Sequence, residues 1–174
     1  MKATWSVAVV YEDEQTREAA VDFCDHLVER FWAKGGFDVS WWSFSQLREP
    51  LSAREATAKT RAADLVVVAL QPAGKFDAYV QALVETGLSQ RAEREGALVG
   101  LLGAAMESSV SAIEKEIYLR NLAHRVGMDY LKRLPPGLAY CDPDSGQSYT
   151  ERADQITSVL DEILHQRENL RLAL

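Results

Sequence analysis

The stretch ADLVVVAL, residues 63–70, constrains the fold more than any other. Six apolar residues follow Asp64 with no polar residue between them, so both faces of an extended strand here are covered. A strand with one wet face alternates apolar and polar residues; one apolar on both faces belongs inside a parallel sheet with helices on each side. ALVGLLG, 97–103, has the same character. WSVAVVY, 5–11, and FDVSWWSF, 37–44, are β-branched and aromatic runs of strand length.

Between these runs the apolar period changes from that of a strand to that of a helix. Ala19, Ala20, Phe23, Leu27, Val28 and Phe31 recur at three- and four-residue spacing within a helix expected over 16–34, which Gly35 and Gly36 stop. LSAREATAKTRAA, 51–63, reads as an alanine-rich helix entered through Ser52 as its cap. Phe76, Tyr79, Val80, Leu83, Val84 and Leu88 mark a helix over 75–91. Ile113, Ile117, Leu119, Leu122, Ala123 and Val126 mark another, ended by Gly127. MDYL, 128–131, and GLAYCD, 137–142, are alternatives for a fifth strand. CDPDSGQS, 141–148, reads as a loop, and residues 150–174 as a C-terminal amphipathic helix, capped by Thr150, with an apolar tail. Strands alternating with helices mean repeated right-handed βαβ units. The expected fold is therefore a three-layer αβα sandwich, a five-stranded parallel sheet of order 2-1-3-4-5, in one domain spanning 1–174.

Charge and composition exclude several function classes. The formal charge is −7, with Lys and Arg scattered singly, so no basic face exists to neutralise nucleic-acid phosphates or anionic lipid. The opening MKATWSVAVVYEDE lacks the apolar core of a secretory signal, and no apolar run approaches the ~20 residues of a membrane span, which makes a cytoplasmic location the expectation. Cys24 and Cys141 form neither a disulfide framework nor a zinc spacing and read as reduced thiols. Cys24 and His26, two residues apart on a helix, point to different sides.

An open parallel sheet of this order leaves a crevice at the carboxyl ends of strands one and three. YEDEQT, 11–16, forms one wall and LQPAGK, 70–75, the other, with GAAMESS, 103–109, nearby. A flavin or dinucleotide phosphate calls for small residues and bare amides at a helix N-terminus. YEDEQT presents carboxylates there instead, and the chain carries no P-loop lysine motif and no GxSxG elbow. Glu12, Asp13 and Glu14 have the oxygen donors for a hard cation, and Glu12 and Asp13 are the candidate ligands for Mg2+. Acids in the first turn of a helix are equally favoured by its dipole, by about 0.3–1 kcal/mol each. Gln71, Lys75 and the two acids are the candidate contacts for a small ligand.

VVYEDEQTREAAVDF, ADLVVVALQPAG and GMDYLKRLP together resemble the receiver domains of two-component response regulators, a flavodoxin-like fold. The resemblance covers residues 5–135. It implies that Glu12 and Asp13 match the metal-binding acids and that Lys132 matches the lysine that neutralises the phosphoryl group. Ala69 stands where the phosphate-accepting aspartate belongs, and Gly103 or Ala104 where a Ser or Thr is usual; the first hydroxyl beyond is Ser108. A methyl group cannot attack phosphorus, so the resemblance implies a receiver-like module that is not phosphorylated on aspartate.

The leading expectation is accordingly a non-catalytic signalling or interaction module that acts through a protein partner or as a homodimer. Trp41 and Trp42 point to opposite faces of their strand; core packing of both is the expectation and one ring left for a partner contact the alternative, and Leu170, Leu172 and Leu174 offer a subunit contact. The alternatives are a flavodoxin-like binder of a small molecule or nucleotide, and an enzyme that uses the strand-one acids as metal ligands or bases.

Overall fold

The computed structural model describes residues 3–31, 35–102 and 109–132. All belong to one compact unit, Met1–Arg133. The alternative strand 137–142, Cys141, the loop 141–148, the helix and tail 150–174, and Gly103, Ala104 and Ser108 lie outside the described residues.

In chain order the elements are β1 (Ala3–Tyr11), α1 (Glu14–Phe31), β2 (Gly35–Ser43), a 3-10 turn (Gln46–Arg48), α2 (Pro50–Ala62), β3 (Leu65–Leu70), α3 (Ala78–Ser89), β4 (Ala97–Leu102), α4 (Val110–Arg125) and β5 (Asp129–Lys132). The five strands are all parallel in the order β2-β1-β3-β4-β5, as the apolar runs require. MDYL therefore supplies the fifth strand. All six residues of β3 are buried, which is what its uninterrupted apolar sequence predicts for a central strand. The chain is a three-layer αβα sandwich. Ala8, Val10, Val66, Val68, Leu70 and Leu98 pack in one core with Ala56 of α2, Val80, Val84 and Leu88 of α3, and Leu119 and Leu122 of α4. The buried stripe of α1, with Ala20, Phe23, Leu27 and Phe31, serves the other face.

Some boundaries depart from the sequence expectation, each for a local reason. Gly35 and Gly36 open β2 rather than only ending α1: a Cβ at Gly35 would fall onto the Ala3 carbonyl and the Trp5 ring, so glycine lets the edge strand approach β1. Ser52 does not cap α2. That helix starts at Pro50, whose fixed φ suits the first helical position, and Glu49 before it makes no side-chain cap bond. α3 starts at Ala78 instead of residue 75 because Asp77 caps it, Oδ1 accepting from the Tyr79 and Val80 amides at 2.9 and 3.1 Å. Trp42 is buried and Trp41 half-buried, its ring edge-on to Tyr11 at 6.4 Å.

Asp64 fixes the relation of β1, β3 and β4 from their amino ends. It is 4% exposed, and its Oδ2 accepts from the Ser6 amide at 2.9 Å and from the Ser6 hydroxyl at 3.3 Å, while Oδ1 meets Arg94 at 2.8 Å. Its own amide donates to the Ser6 carbonyl at 2.8 Å and its carbonyl accepts from the Ala97 amide at 3.0 Å. Asp64→Ala leaves the Ser6 amide and hydroxyl and the Arg94 guanidinium without the carboxylate and is expected to lower unfolding free energy by about 1–3 kcal/mol. Urea denaturation measures it; a loss below about 0.5 kcal/mol, the range of an ordinary surface substitution, would show that Asp64 does not hold the strands in register.

Candidate functional site

The crevice at the carboxyl ends of β1 and β3 is built by two short turns that bond to each other. β1 ends at Tyr11, paired with Ala69 of β3, and the Glu12 amide still donates to the Ala69 carbonyl at 3.1 Å. The chain then turns into α1 through a reciprocal cap. The Thr16 amide donates to Asp13 Oδ1 at 2.9 Å, while Thr16 Oγ1 accepts from the Glu12 and Asp13 amides at 3.0 and 2.9 Å. The Thr16 hydroxyl in turn donates to the Asp13 carbonyl at 3.0 Å. Thr16 is buried while Glu12 is half-buried and Asp13 exposed, so these are part-buried bonds that close the first turn of α1 on itself.

The acids also reach across to the second wall. Glu12 Oε2 accepts from the Gln71 amide at 2.7 Å, and the Gln71 side-chain amide donates to Asp13 Oδ2 at 2.8 Å and to Gln15 Oε1 at 3.0 Å. Burial pushes the Asp13 carboxyl up, but the Thr16 amide, the Gln71 side chain, the Thr16 hydroxyl and the Gln15 amide outweigh it and hold it below its ordinary value.

Three of the five expected site residues, Glu12, Asp13 and Gln71, thus come together. They do not form a cation site: each carboxylate is directed at protein donors, and among the described residues no group of three His, Cys, Asp or Glu side chains could hold a metal ion. Lys75 is exposed in the turn before α3 and joins none of these bonds. Lys132 stands at the end of β5, as the receiver resemblance implied, but its ammonium meets Glu116 of α4 at 2.6 Å. Cys24 is buried, and burial followed by the nearby Asp25 carboxylate pushes its thiol up to about 12. Exposed His26 bonds the Asp22 carbonyl of its own helix at 2.6 Å.

The cation that belongs to the crevice is Lys115, which no motif in the sequence singles out. It is 5% exposed, and Nζ donates to the carbonyls of Gln71 and Ala73 at 2.6 and 3.1 Å, fixing the turn after β3. Burial lowers its pKa, and the Glu12 carboxylate acts in the opposite sense. The one signal for it is its place: three residues after Ala112 and four before Leu119, Lys115 lies on the buried stripe of α4. Asp77 extends the same wall by capping α3 and pairing with Arg48, whose guanidinium lies 4.8 Å from the Tyr79 ring centre.

Beside these turns lies a cavity of about 220 Å3, lined among others by Gln15, Glu18 and Asp22 of α1 and by Leu70, Gln71 and Leu101. Among the described residues its walls combine carboxylates and amides with the ends of β3 and β4 and carry no cation. Two larger hollows, of about 330 and 340 Å3, open by the C-terminal end of α3, away from the crevice.

No protein-family model matches the chain, and no curated protein matches it. Among solved structures it is similar to an oxidoreductase from Corynebacterium diphtheriae, with 14% identity over 93% of this chain and 96% of that one and a TM-score of 0.59. An azoreductase from Bacillus anthracis shares 15% identity over 92% and 97% of the two chains, at a TM-score of 0.42. An NADH:FMN oxidoreductase in its apo form shares 16% over 93% and 89%, at 0.47. The fold is flavodoxin-like. The first similarity establishes the fold alone, and the other two are too distant to carry an argument. None of these structures is named as a receiver domain, and the expectation of a non-catalytic signalling module is overturned: the full-length likeness runs to a protein named an oxidoreductase. The strand patterns that accompany the receiver-like motifs are common to flavodoxin-like folds, and a fold does not by itself fix function. Among the described residues no helix is long and apolar enough to cross a membrane.

Thr16→Val removes the acceptor of two amides and is expected to lower unfolding free energy by about 1–3 kcal/mol, with Thr16→Ser close to the parent. Urea denaturation of the three proteins reads this. Equal stability of the valine and serine variants would mean that the hydroxyl does not order the turn.

Proposed function

We propose that the protein is a flavodoxin-like small-molecule binder of the kind found among oxidoreductases, with its ligand seated against α1 at the carboxyl ends of β3 and β4. The cavity bounded by Gln15, Glu18, Asp22, Leu70, Gln71 and Leu101 carries this reading, because it adjoins the crevice between β1 and β3 where an open parallel sheet of this order receives its ligand. It is smaller than the roughly 300–1,000 Å3 of sites for drug-sized molecules, so it suits one ring or a comparable fragment of a ligand. Leu101 provides the apolar floor, Gln15 and Gln71 offer amide groups, and the Glu18 and Asp22 carboxylates favour a ligand that donates hydrogen bonds or carries positive charge.

Flavin is a cofactor to test against this cavity. The residues at the start of α1 do not fit the phosphate end of flavin mononucleotide, since Asp13 and Glu12 already hold the amides that would receive it. The chain's own residues bind and orient: Lys115 and Asp77 fix the turn after β3, and the cap of α1 fixes the facing wall.

A thermal-shift series with riboflavin, flavin mononucleotide, quinones and azo dyes tests this reading. At least one compound is expected to raise Tm saturably, a ligand at 100 times its Kd adding about 2.7 kcal/mol of stability. Ala19 lines the same cavity, and Ala19→Phe, which fills it, is expected to abolish the response. No responder, or a response unchanged by Ala19→Phe, would refute the proposal.

A further inference from the structure

Resting on the ligand-binding reading above, we infer that Glu12 and Asp13 act as a built-in substitute for a ligand phosphate, so that the crevice takes an unphosphorylated ligand. The two places where a phosphate would find amide donors in this fold are the N-terminus of α1 and the turn after β3. Both are engaged. At α1, Asp13 Oδ1 accepts from the Thr16 amide at 2.9 Å, and Thr16 Oγ1 takes the Glu12 and Asp13 amides at 3.0 and 2.9 Å. At the second turn, Glu12 Oε2 takes the Gln71 amide at 2.7 Å, and Asp13 Oδ2 takes the Gln71 side-chain amide at 2.8 Å.

Of the cations nearby, Lys75 is exposed in the turn after β3, and the other two are already paired. Lys115 gives its protons to the Gln71 and Ala73 carbonyls beside Glu12, and Arg17 lies 3.4 Å from Glu14. An incoming phosphate would displace one or both carboxylates from their donors and then face them as like charge. Both acids lie in the turn, so the exclusion is a local property of the sequence YEDEQT on an otherwise ordinary flavodoxin-like frame.

The test compares flavin mononucleotide with riboflavin, which differ only in the phosphate, and adds inorganic phosphate alone. For the parent protein, flavin mononucleotide is expected to bind no tighter than riboflavin, and millimolar phosphate is expected to leave Tm unchanged. In Glu12→Ser/Asp13→Ser both carboxylates are removed and the Gln71 amide loses its acceptor, while Thr16 still holds the amides of residues 12 and 13 and serine keeps a capping side chain; affinity for flavin mononucleotide should rise about tenfold or more, and phosphate should raise Tm. Asp13→Ser alone gives the same reading, at smaller amplitude, if the double variant does not fold. The inference is overturned if the parent prefers flavin mononucleotide by about tenfold or is protected by phosphate. It is equally overturned if the variants respond to neither probe more than the parent does. A parent that binds no compound of the panel refutes the ligand-binding reading, whereas the phosphate comparison between parent and variants still decides this one.

Discussion

The turn between β1 and α1 must satisfy several backbone amides within a few residues, and the reciprocal pairing of Asp13 with Thr16 is how it does so. A helix N-terminus presents unpaired donors and a positive dipole end, so it is completed by a ligand anion or by the chain's own side chains. In this protein the chain supplies the anion. Once the Asp13 carboxylate is seated over α1, its second oxygen receives Gln71, and Glu12 beside it receives the Gln71 amide. The cap of one helix thereby becomes the tie between both walls of the crevice.

The tie depends on the opposite wall being held as firmly. The turn after β3 contains Pro72 and Gly74, with Gly74 at a φ of +79°, a conformation that glycine adopts without strain. Two charged side chains anchor it from outside its own sequence: Lys115 of α4 through the Gln71 and Ala73 carbonyls, and Arg48 through Asp77. Ionic groups thus order a loop whose neighbours in β3 are wholly apolar, and Asp64 performs the matching task at the amino ends of the strands. A rigid sheet with charged clamps at each end of its central strand is a scaffold suited to holding a small ligand at a fixed place.

Strand order and layering were legible because β3 and β4 are apolar on both faces, a pattern that only a covered parallel strand tolerates. Helix starts were less legible. Asp77 and Pro50 act through backbone geometry at single residues, and apolar spacing does not register them. Within the site, Glu12, Asp13 and Gln71 could be found from their place at strand ends, but not what they bind. Acid side chains in a first turn have the same composition whether they wait for a cation or cap a helix, and only the bonds of Thr16 and Gln71 separate the two. Lys115 was hidden for a different reason: its partners are carbonyls more than forty residues earlier in sequence, with separations of 44 and 42. The receiver resemblance misled because its strand patterns are common to flavodoxin-like folds, so they spoke to topology and not to function.

Asp13 is, on these grounds, an anion held by protein donors, with its pKa below the ordinary value. A folded-state pKa below the unfolded value means stability present above about 3.9 and lost as pH falls through the lower folded value. An NMR titration of the Asp13 side-chain carbon in the intact protein reads this state at the atom concerned. A midpoint below the ordinary 3.8 is expected; a midpoint at or above 3.8 would show that the amides of Thr16 and Gln71 do not hold the carboxylate, and the tie between the walls would not exist.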